Sequence, residues 1–252
     1  MNVMKRSVKE LLGYSIQATD GEKGKVNNFL FDDETWIIRY LEADLGAFFN
    51  ENRVLIPRNH LNVPHWENKH FTVNLTVKKI ENSPGLDFDL PVSRAFEKEL
   101  ADYYKLKPYW PANLMAFNGV TSYPYPQTPV KIPVSEVNEE EIETHLRSFK
   151  EIKGYHIKAL DDRFGHISDL IIDDNLWQIV YVVVDTINFV PWSKRVLLPV
   201  DVIEKISYPK QEAVINLTKE SIKDAPEYDP AMAVNSEYER VLYDFYGRKK
   251  IK

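Results

Sequence analysis

The acidic residues that recur in this sequence are its first candidates for chemistry. Asp32-Asp33 and Asp173-Asp174 are adjacent acids, and Asp44 and Asp185 each close a run of β-branched and aromatic residues. Neighbouring carboxylates could serve acid–base work or hold a cation. Asp is also a preferred turn residue, because its side chain accepts hydrogen bonds from nearby backbone N–H groups. The polar context of both pairs favours turns, and Asp44 and Asp185 read as structural ion-pair partners for Arg53 and Arg195. His60, His65 and His70 are spaced by five, which suits neither a helical zinc pair nor the usual ligand spacings. The chain has no cysteine, which removes disulfides, thiolate metal sites and thiol nucleophiles. No G-x-S-x-G, phosphate-loop or dinucleotide fingerprint occurs, and Gly21-Glu22-Lys23-Gly24 reads as a turn. The residues thus point to no cofactor, no metal site and no catalytic machinery.

What must position these residues is an internal repeat. SVKELLGYSIQATD from Ser7 returns as SFKEIKGYHIKALD from Ser148. At a spacing of 141 residues, Gly13 meets Gly154, Gly24 meets Gly165, Trp36 meets Trp177, Tyr40 meets Tyr181 and Asp44 meets Asp185. One inserted residue, between Phe48 and Arg53 in the first copy's frame, moves the spacing to 142. Arg53-Val54-Leu55-Ile56-Pro57 then meets Arg195-Val196-Leu197-Leu198-Pro199, and Glu97 and Tyr104 meet Glu239 and Tyr246.

Each copy has the rhythm of short strands. Ser15–Ala18, Val26–Phe31, Trp36–Ala43, Val54–Ile56 and Phe71–Leu75 are β-prone runs bounded by polar clusters. Asp32 to Thr35 forms the turn of a hairpin between the second and third of them. In the second copy, WQIVYVVV from Trp177 is apolar enough to be buried on both faces. Small β units of this kind usually close to remove their edges, so a small barrel is expected in each copy. A helix follows, capped by Ser93 or Asn235. Phe96, Leu100, Tyr103 and Tyr104, and then Tyr238, Leu242, Phe245 and Tyr246, form aromatic stripes that read as packing faces.

The copies are joined by a stretch with prolines at 108, 111, 124, 126, 129 and 133, which reads as an extended linker. It also carries Tyr109, Trp110, Phe117, Tyr123 and Tyr125, so it is expected to lie along domain surfaces. Glutamates between Glu136 and Glu143 follow it. The boundaries expected are a first domain over 1–107, a linker over 108–140 and a second domain over 141–252.

The formal charge is −6 and the sequence pI about 5.6, which offers no general attraction for nucleic acid or anionic lipid. Lys5, Arg6, Lys9 and Glu10 interrupt the N-terminal segment, and no membrane-spanning run is present. A cytoplasmic protein, without nucleic-acid binding or membrane insertion, is the expectation.

Each copy resembles the PRC-barrel family. The first carries the pattern in Gly13, Asp20-Gly21, Gly24, Val26–Phe31, Asp32-Asp33, Trp36 and Tyr40–Asp44. The second carries it in Gly154, Asp161-Asp162, Gly165, Ile167–Ile172, Asp173-Asp174, Trp177 and Tyr181–Asp185. Asp162 departs from the pattern by replacing the turn glycine, so either a different turn or a left-handed aspartate backbone is expected there. Asn28 stands where many members have Asp, while Asp169 keeps it, a difference read as turn detail. The resemblance extends to the cytoplasmic part of the photosynthetic reaction-centre H subunit. It implies a small barrel in each copy; with the repeat, the expectation is a mainly β fold of two tandem small barrels related by pseudo-twofold symmetry, each followed by the C-terminal amphipathic helix, which lies outside the family pattern. It also implies action through protein–protein contacts and not through catalysis. The expected function is a non-catalytic interaction or scaffold module with an unidentified protein partner or a homodimer. The alternative is a small ligand or cation held in a polar groove between the barrels. The candidate structural or interaction residues are Asp44, Asp185, Arg53, Arg195, Trp36, Trp177, Tyr104 and Tyr246.

Overall fold

The computed structural model describes residues 5–46, 52–85, 92–110, 145–187, 194–232 and 234–247. The loop insertion near Phe48, the acidic stretch from Glu136 and all of the proline linker beyond Trp110 lie outside the described residues. Residues 1–85 and 145–252 form one compact unit, and residues 86–144 form another.

In the larger unit the first repeat opens with strand β1 (Lys5–Ser7) and a one-turn helix α1 (Val8–Leu11). Strands β2 (Ser15–Ala18), β3 (Gly21–Asp32), β4 (Ile38–Asp44), β5 (Arg53–Pro57) and β6 (His70–Thr72) follow, then helix α2 (Val77–Glu81). Helix α3 (Arg94–Tyr104) belongs to the smaller unit. The second repeat runs through β7 (Leu146–Ser148), α4 (Phe149–Ile152), β8 (His156–Lys158), β9 (Arg163–Asp173) and β10 (Gln178–Asp185). It ends with β11 (Arg195–Pro199), β12 (Ile203–Ser207), β13 (Glu212–Ile215), α5 (Lys219–Lys223) and α6 (Ser236–Tyr246).

The fold is mainly β, in two sheets. One runs β5-β4-β3-β2-β6 and the other β11-β10-β9-β8-β13-β12. Neighbours along each path are antiparallel except β2 with β6 and β8 with β13. Both paths are open among the described residues, where closed barrels were expected. Single bridges, Val54 with Gly85 and Val196 with Glu227, cover the outer strands β5 and β11 in place of a continuous closing ladder. An edge can be shielded by one such contact without ring closure.

The opening strands of the two repeats change places. β1, which opens the first repeat, pairs with β9 of the second: Lys5 lies opposite Asp173, Arg6 opposite Ile172 and Ser7 opposite Ile171. β7, which opens the second repeat, pairs with β3 of the first: Leu146 lies opposite Asp32, Arg147 opposite Phe31 and Ser148 opposite Leu30. Every residue in one set has its 141-residue counterpart in the other. Each sheet is therefore completed by the opening strand of the other repeat.

Local chemistry explains where the elements start. Ser7 and Ser148 cap α1 and α4, each hydroxyl accepting from the N–H three residues on at 3.1 Å. Ser148 and Glu151 complete a reciprocal capping box. Asp20 and Asp161 accept from Val77 N–H at 2.7 Å and Lys219 N–H at 2.8 Å, capping α2 and α5. Gly24 and Gly165 allow β3 and β9 to pass close to their neighbours. A Cβ would lie 2.4 Å from the Asp44 carbonyl oxygen at Gly24 and 2.3 Å from that of Asp185 at Gly165, and both residues have positive φ. Asp162 has no positive φ, and neither does Gly21, so the left-handed alternative is not used. Instead Asp162 accepts from Arg163 N–H at 2.7 Å and pairs with Lys219 Nζ.

The core follows the apolar runs. Phe29, Phe31, Phe71, Leu41, Leu55 and Ile56 are fully buried in the first repeat, and Leu170, Ile171, Ile172, Val182 and Leu197 in the second. α6 closes over Ile171, Tyr181, Val183 and Leu197 through Leu242, with Tyr238 and Tyr246 beside it. The stripe expected on α6 is narrower than its sequence suggested: Phe245 is exposed, and Glu239 is buried in its stead. In α3 the buried positions are Arg94, Glu97, Leu100, Ala101 and Tyr104, with Phe96 and Tyr103 only half-buried. A charged residue can occupy the inner face because it has partners there.

Candidate functional site

The paired aspartates and the two tryptophans gather where the two hairpin turns meet. Asp32 accepts from the N–H groups of Glu34 at 3.2 Å and Thr35 at 2.8 Å, and its other oxygen takes Arg39 at 2.8 Å. Asp173 repeats the turn, accepting from Asn175 at 3.0 Å and Leu176 at 3.1 Å. Burial works to raise the Asp32 pKa. The Arg39 guanidinium and the turn donors outweigh it, and the carboxyl lies below the ordinary aspartate value.

The second acid of each pair reaches into the opposite repeat. Asp33 binds Arg147 Nε at 3.0 Å and His145 Nδ1 at 3.2 Å. Asp174 accepts from the Trp66 indole at 3.1 Å, and the Arg6 guanidinium sits 4.6 Å above that indole ring. Arg6 and Arg147 are repeat partners. Burial raises the Asp174 pKa against the Trp66 bond, and the neighbouring Asp173 charge adds to the rise.

Trp36 and Trp177 end the turns. Neither belongs to the following strand, where the sequence reading placed both; they adopt left-handed backbone, with φ of 59° and 52°. For a bulky side chain this conformation costs roughly 1–2 kcal/mol, so something must hold it. The N–H of Ile38 donates to the Trp177 carbonyl, and that of Ile179 to the Trp36 carbonyl, both at 2.8 Å. Ile37 and Gln178 bridge between these bonds. The Trp177 ring lies 6.2 Å from Phe29 and 5.3 Å from Phe71, so an indole from the second repeat fills the first repeat's core. Trp36 is equally buried and stacks on Phe31 at 5.4 Å.

The remaining candidates lie apart from this junction. Asp44 and Arg53 are opposite each other in the β4–β5 ladder, as are Asp185 and Arg195 in β10–β11. Asp44 accepts from Gly46 N–H at 3.0 Å and Asp185 from Ile187 N–H at 3.1 Å, each capping the turn after its strand. Arg53 reaches Glu42 at 3.3 Å. The Arg195 carbonyl accepts from Tyr228 N–H at 2.8 Å. Tyr246 anchors the end of α6 by donating to the Leu197 carbonyl at 3.0 Å. Tyr104 is buried at the end of α3, edge-on to Tyr103 at 4.9 Å. The His65 and His70 rings stack at 4.3 Å, and burial lowers the His60 pKa. Among the described residues, no group of three His, Asp or Glu side chains converges as a metal would require.

Two groups of residues carry more of the architecture than their sequence positions suggested. Asn28 and Asp169, read as turn detail, lie inside β3 and β9. The Asn28 side-chain Oδ1 accepts from Lys150 N–H at 3.1 Å, and Asp169 accepts from Lys9 N–H at 3.1 Å and from the Ser7 hydroxyl at 2.5 Å. Each caps the one-turn helix of the other repeat. The available signal was a polar residue at the same repeat position within an apolar strand. Lys5, Tyr181 and Glu239 form the second group: Glu239 Oε1 takes Lys5 Nζ at 2.6 Å and the Tyr181 hydroxyl at 3.0 Å. No helix among the described residues is long and apolar enough to cross a membrane.

No curated protein matches the chain. Residues 5–78 match the family model described as the PRC-barrel domain. The matched segment holds β1 to β6, with the Asp32–Trp36 turn inside it.

Proposed function

We propose that this chain is a non-catalytic protein-interaction module made of two PRC-type units fused as an intramolecular counterpart of a homodimer. The observation that carries this reading is the exchange of β1 and β7, whose registers on β9 and β3 correspond residue for residue. A symmetric pair joined by swapped opening strands is a common way for two copies of one chain to associate. The exchanged caps of Asn28 and Asp169 and the crossed bonds of Trp36 and Trp177 support the same symmetry. The family match supports the interaction role. The acids that could have served catalysis hold turns, helix starts and ion pairs, which fits a scaffold. The partner is a protein and the compartment the cytoplasm.

The test is affinity capture from the source organism with the tagged full chain as bait. A protein recovered at fixed stoichiometry, and lost when the bait is thermally unfolded, supports the reading. A native bait that retains nothing above the unfolded control overturns it.

A further inference from the structure

A cavity of about 310 Å³ opens between α6 and the β10–β11 sheet. Its walls include Ile179, Val180, Val200 and Leu242, with Tyr243 and Tyr246 from the helix. Its polar end is the Lys5–Glu239–Tyr181 cluster, in which the Glu239 side chain is 11 % exposed and that of Lys5 15 %. An apolar cleft with a few fixed polar groups is the ordinary form of a recognition pocket.

The sequence repeat indicates what such a pocket accepts. In α3 the residue matching Glu239 is Glu97, and it is engaged by the segment that follows the helix. The Tyr109 hydroxyl donates to Glu97 Oε1 at 2.7 Å. Trp110 beside it is buried, with the Arg94 guanidinium 4.5 Å from its ring centroid, and Arg94 binds Glu97 at 2.8 Å. The helix glutamate of the first repeat thus receives a phenol from the Pro-Tyr-Trp segment, which bends back at Tyr109 and Trp110. The positions 142 residues beyond Tyr109 and Trp110 are Ile251 and Lys252, which carry neither a phenol nor an indole.

We propose that the α6 cavity binds a segment of a partner protein bearing a proline-flanked Tyr-Trp pair, with the tyrosine hydroxyl donating to Glu239 and the indole packed on the apolar wall. Aromatic residues with a polar tip suit such a site, because one end is buried while the other is hydrogen-bonded. Proline before them reduces the entropy lost when the segment is fixed. The inference rests on the interaction-module reading and supplies the chemistry of the partner.

The test is fluorescence anisotropy of a labelled Leu-Lys-Pro-Tyr-Trp-Pro-Ala peptide titrated with the full chain. Saturable binding is expected. Replacing the peptide tyrosine by phenylalanine should weaken it about tenfold or more, because a hydrogen bond to a charged acceptor is lost. Val200→Trp, at a half-buried wall position, should weaken it by a similar factor while leaving the melting temperature near that of the parent chain. Should Val200→Trp lower the melting temperature, the phenylalanine peptide on the unaltered chain decides alone. Absence of saturable binding, or equal affinity for the tyrosine and phenylalanine peptides, overturns the proposal. So does binding unchanged in a folded Val200→Trp chain. Each of these results leaves the affinity capture of an intact partner free to succeed, so the two readings fail separately.

Discussion

Asp169 accepts a hydrogen bond from the Ser7 hydroxyl at 2.5 Å, across 162 residues of sequence. With its other oxygen it caps α1 through Lys9 N–H, as Asn28 caps α4 through Lys150 N–H. The helix starts of each repeat are thus satisfied by the central strand of the other. That relationship makes the two repeats interdependent.

Asp169→Ala should cost about 1–2 kcal/mol through the lost cap, whereas Asp169→Asn should keep the cap in the form Asn28 already uses. Burial raises the Asp169 pKa from 3.8, against the Ser7, Leu170 and Lys9 bonds. A carboxyl raised on folding disfavours the native state progressively as pH climbs from its unfolded value through its folded one. The stability of Asp169→Asn relative to the parent should therefore improve across that window and level off above it. Urea midpoints measured as a function of pH check this; a constant difference contradicts it.

Asp32 behaves with the opposite sign. Its pKa is lowered on folding, so its contribution is present above 3.8 and is lost as pH falls through the folded value. Asp32→Asn should lower stability by about 1–3 kcal/mol at neutral pH, since it weakens a partly buried charge-assisted bond to Arg39. The gap to the parent should narrow toward strongly acid pH. The same urea series on this variant provides the measurement.

Trp177→Ala removes an indole packed on Phe29 and Phe71 and should cost about 3–5 kcal/mol. Because that indole belongs to one repeat and its cavity to the other, both should loosen together. Amide hydrogen exchange should show protection lost in β3 and β6 as well as in β10. Loss confined to the second repeat would contradict the cross-repeat core.

Gly13→Ala and Gly24→Ala separate backbone strain from collision. Both glycines have positive φ, but a Cβ at Gly13 meets nothing within 4 Å, while at Gly24 it would lie 2.4 Å from the Asp44 carbonyl oxygen. The first should cost about 1 kcal/mol, lowering the melting temperature by about 2–4 °C. The second should lower it by a clearly larger amount, because β3 and β4 must separate. Calorimetry on the two variants gives the comparison.

Residues 1–110 and 145–252, produced as separate chains, should form a one-to-one complex and unfold cooperatively only together. The reason is that β1 and β7 each complete the sheet of the other fragment. Analytical ultracentrifugation of the mixture measures it. Two independently cooperative monomers would remove the homodimer analogy.

The sequence by itself determined the repeat, its two spacings, the β-rich elements and the family resemblance, because these depend on residue type and interval. Ser15–Ala18 was legible to the residue, and Ser93 and Asn235 were legible as caps, since short-range bonds write themselves into composition. The S-x-x-E pattern at Ser7 and Ser148 was read only as part of the repeat, and the helix starts it caps were missed. Partner choice was not legible. A repeat has two equivalent acceptors for every strand, so spacing cannot say whether β1 joins its own β3 or the distant β9. Nor can it say whether Trp177 fills its own core or the neighbouring one. Those choices belong to the tertiary structure, where side-chain volume and hydrogen-bond completion are summed across both repeats. The paired aspartates show the division plainly: residue type made them turns, and packing joined Asp33 to Arg147 and Asp174 to Trp66.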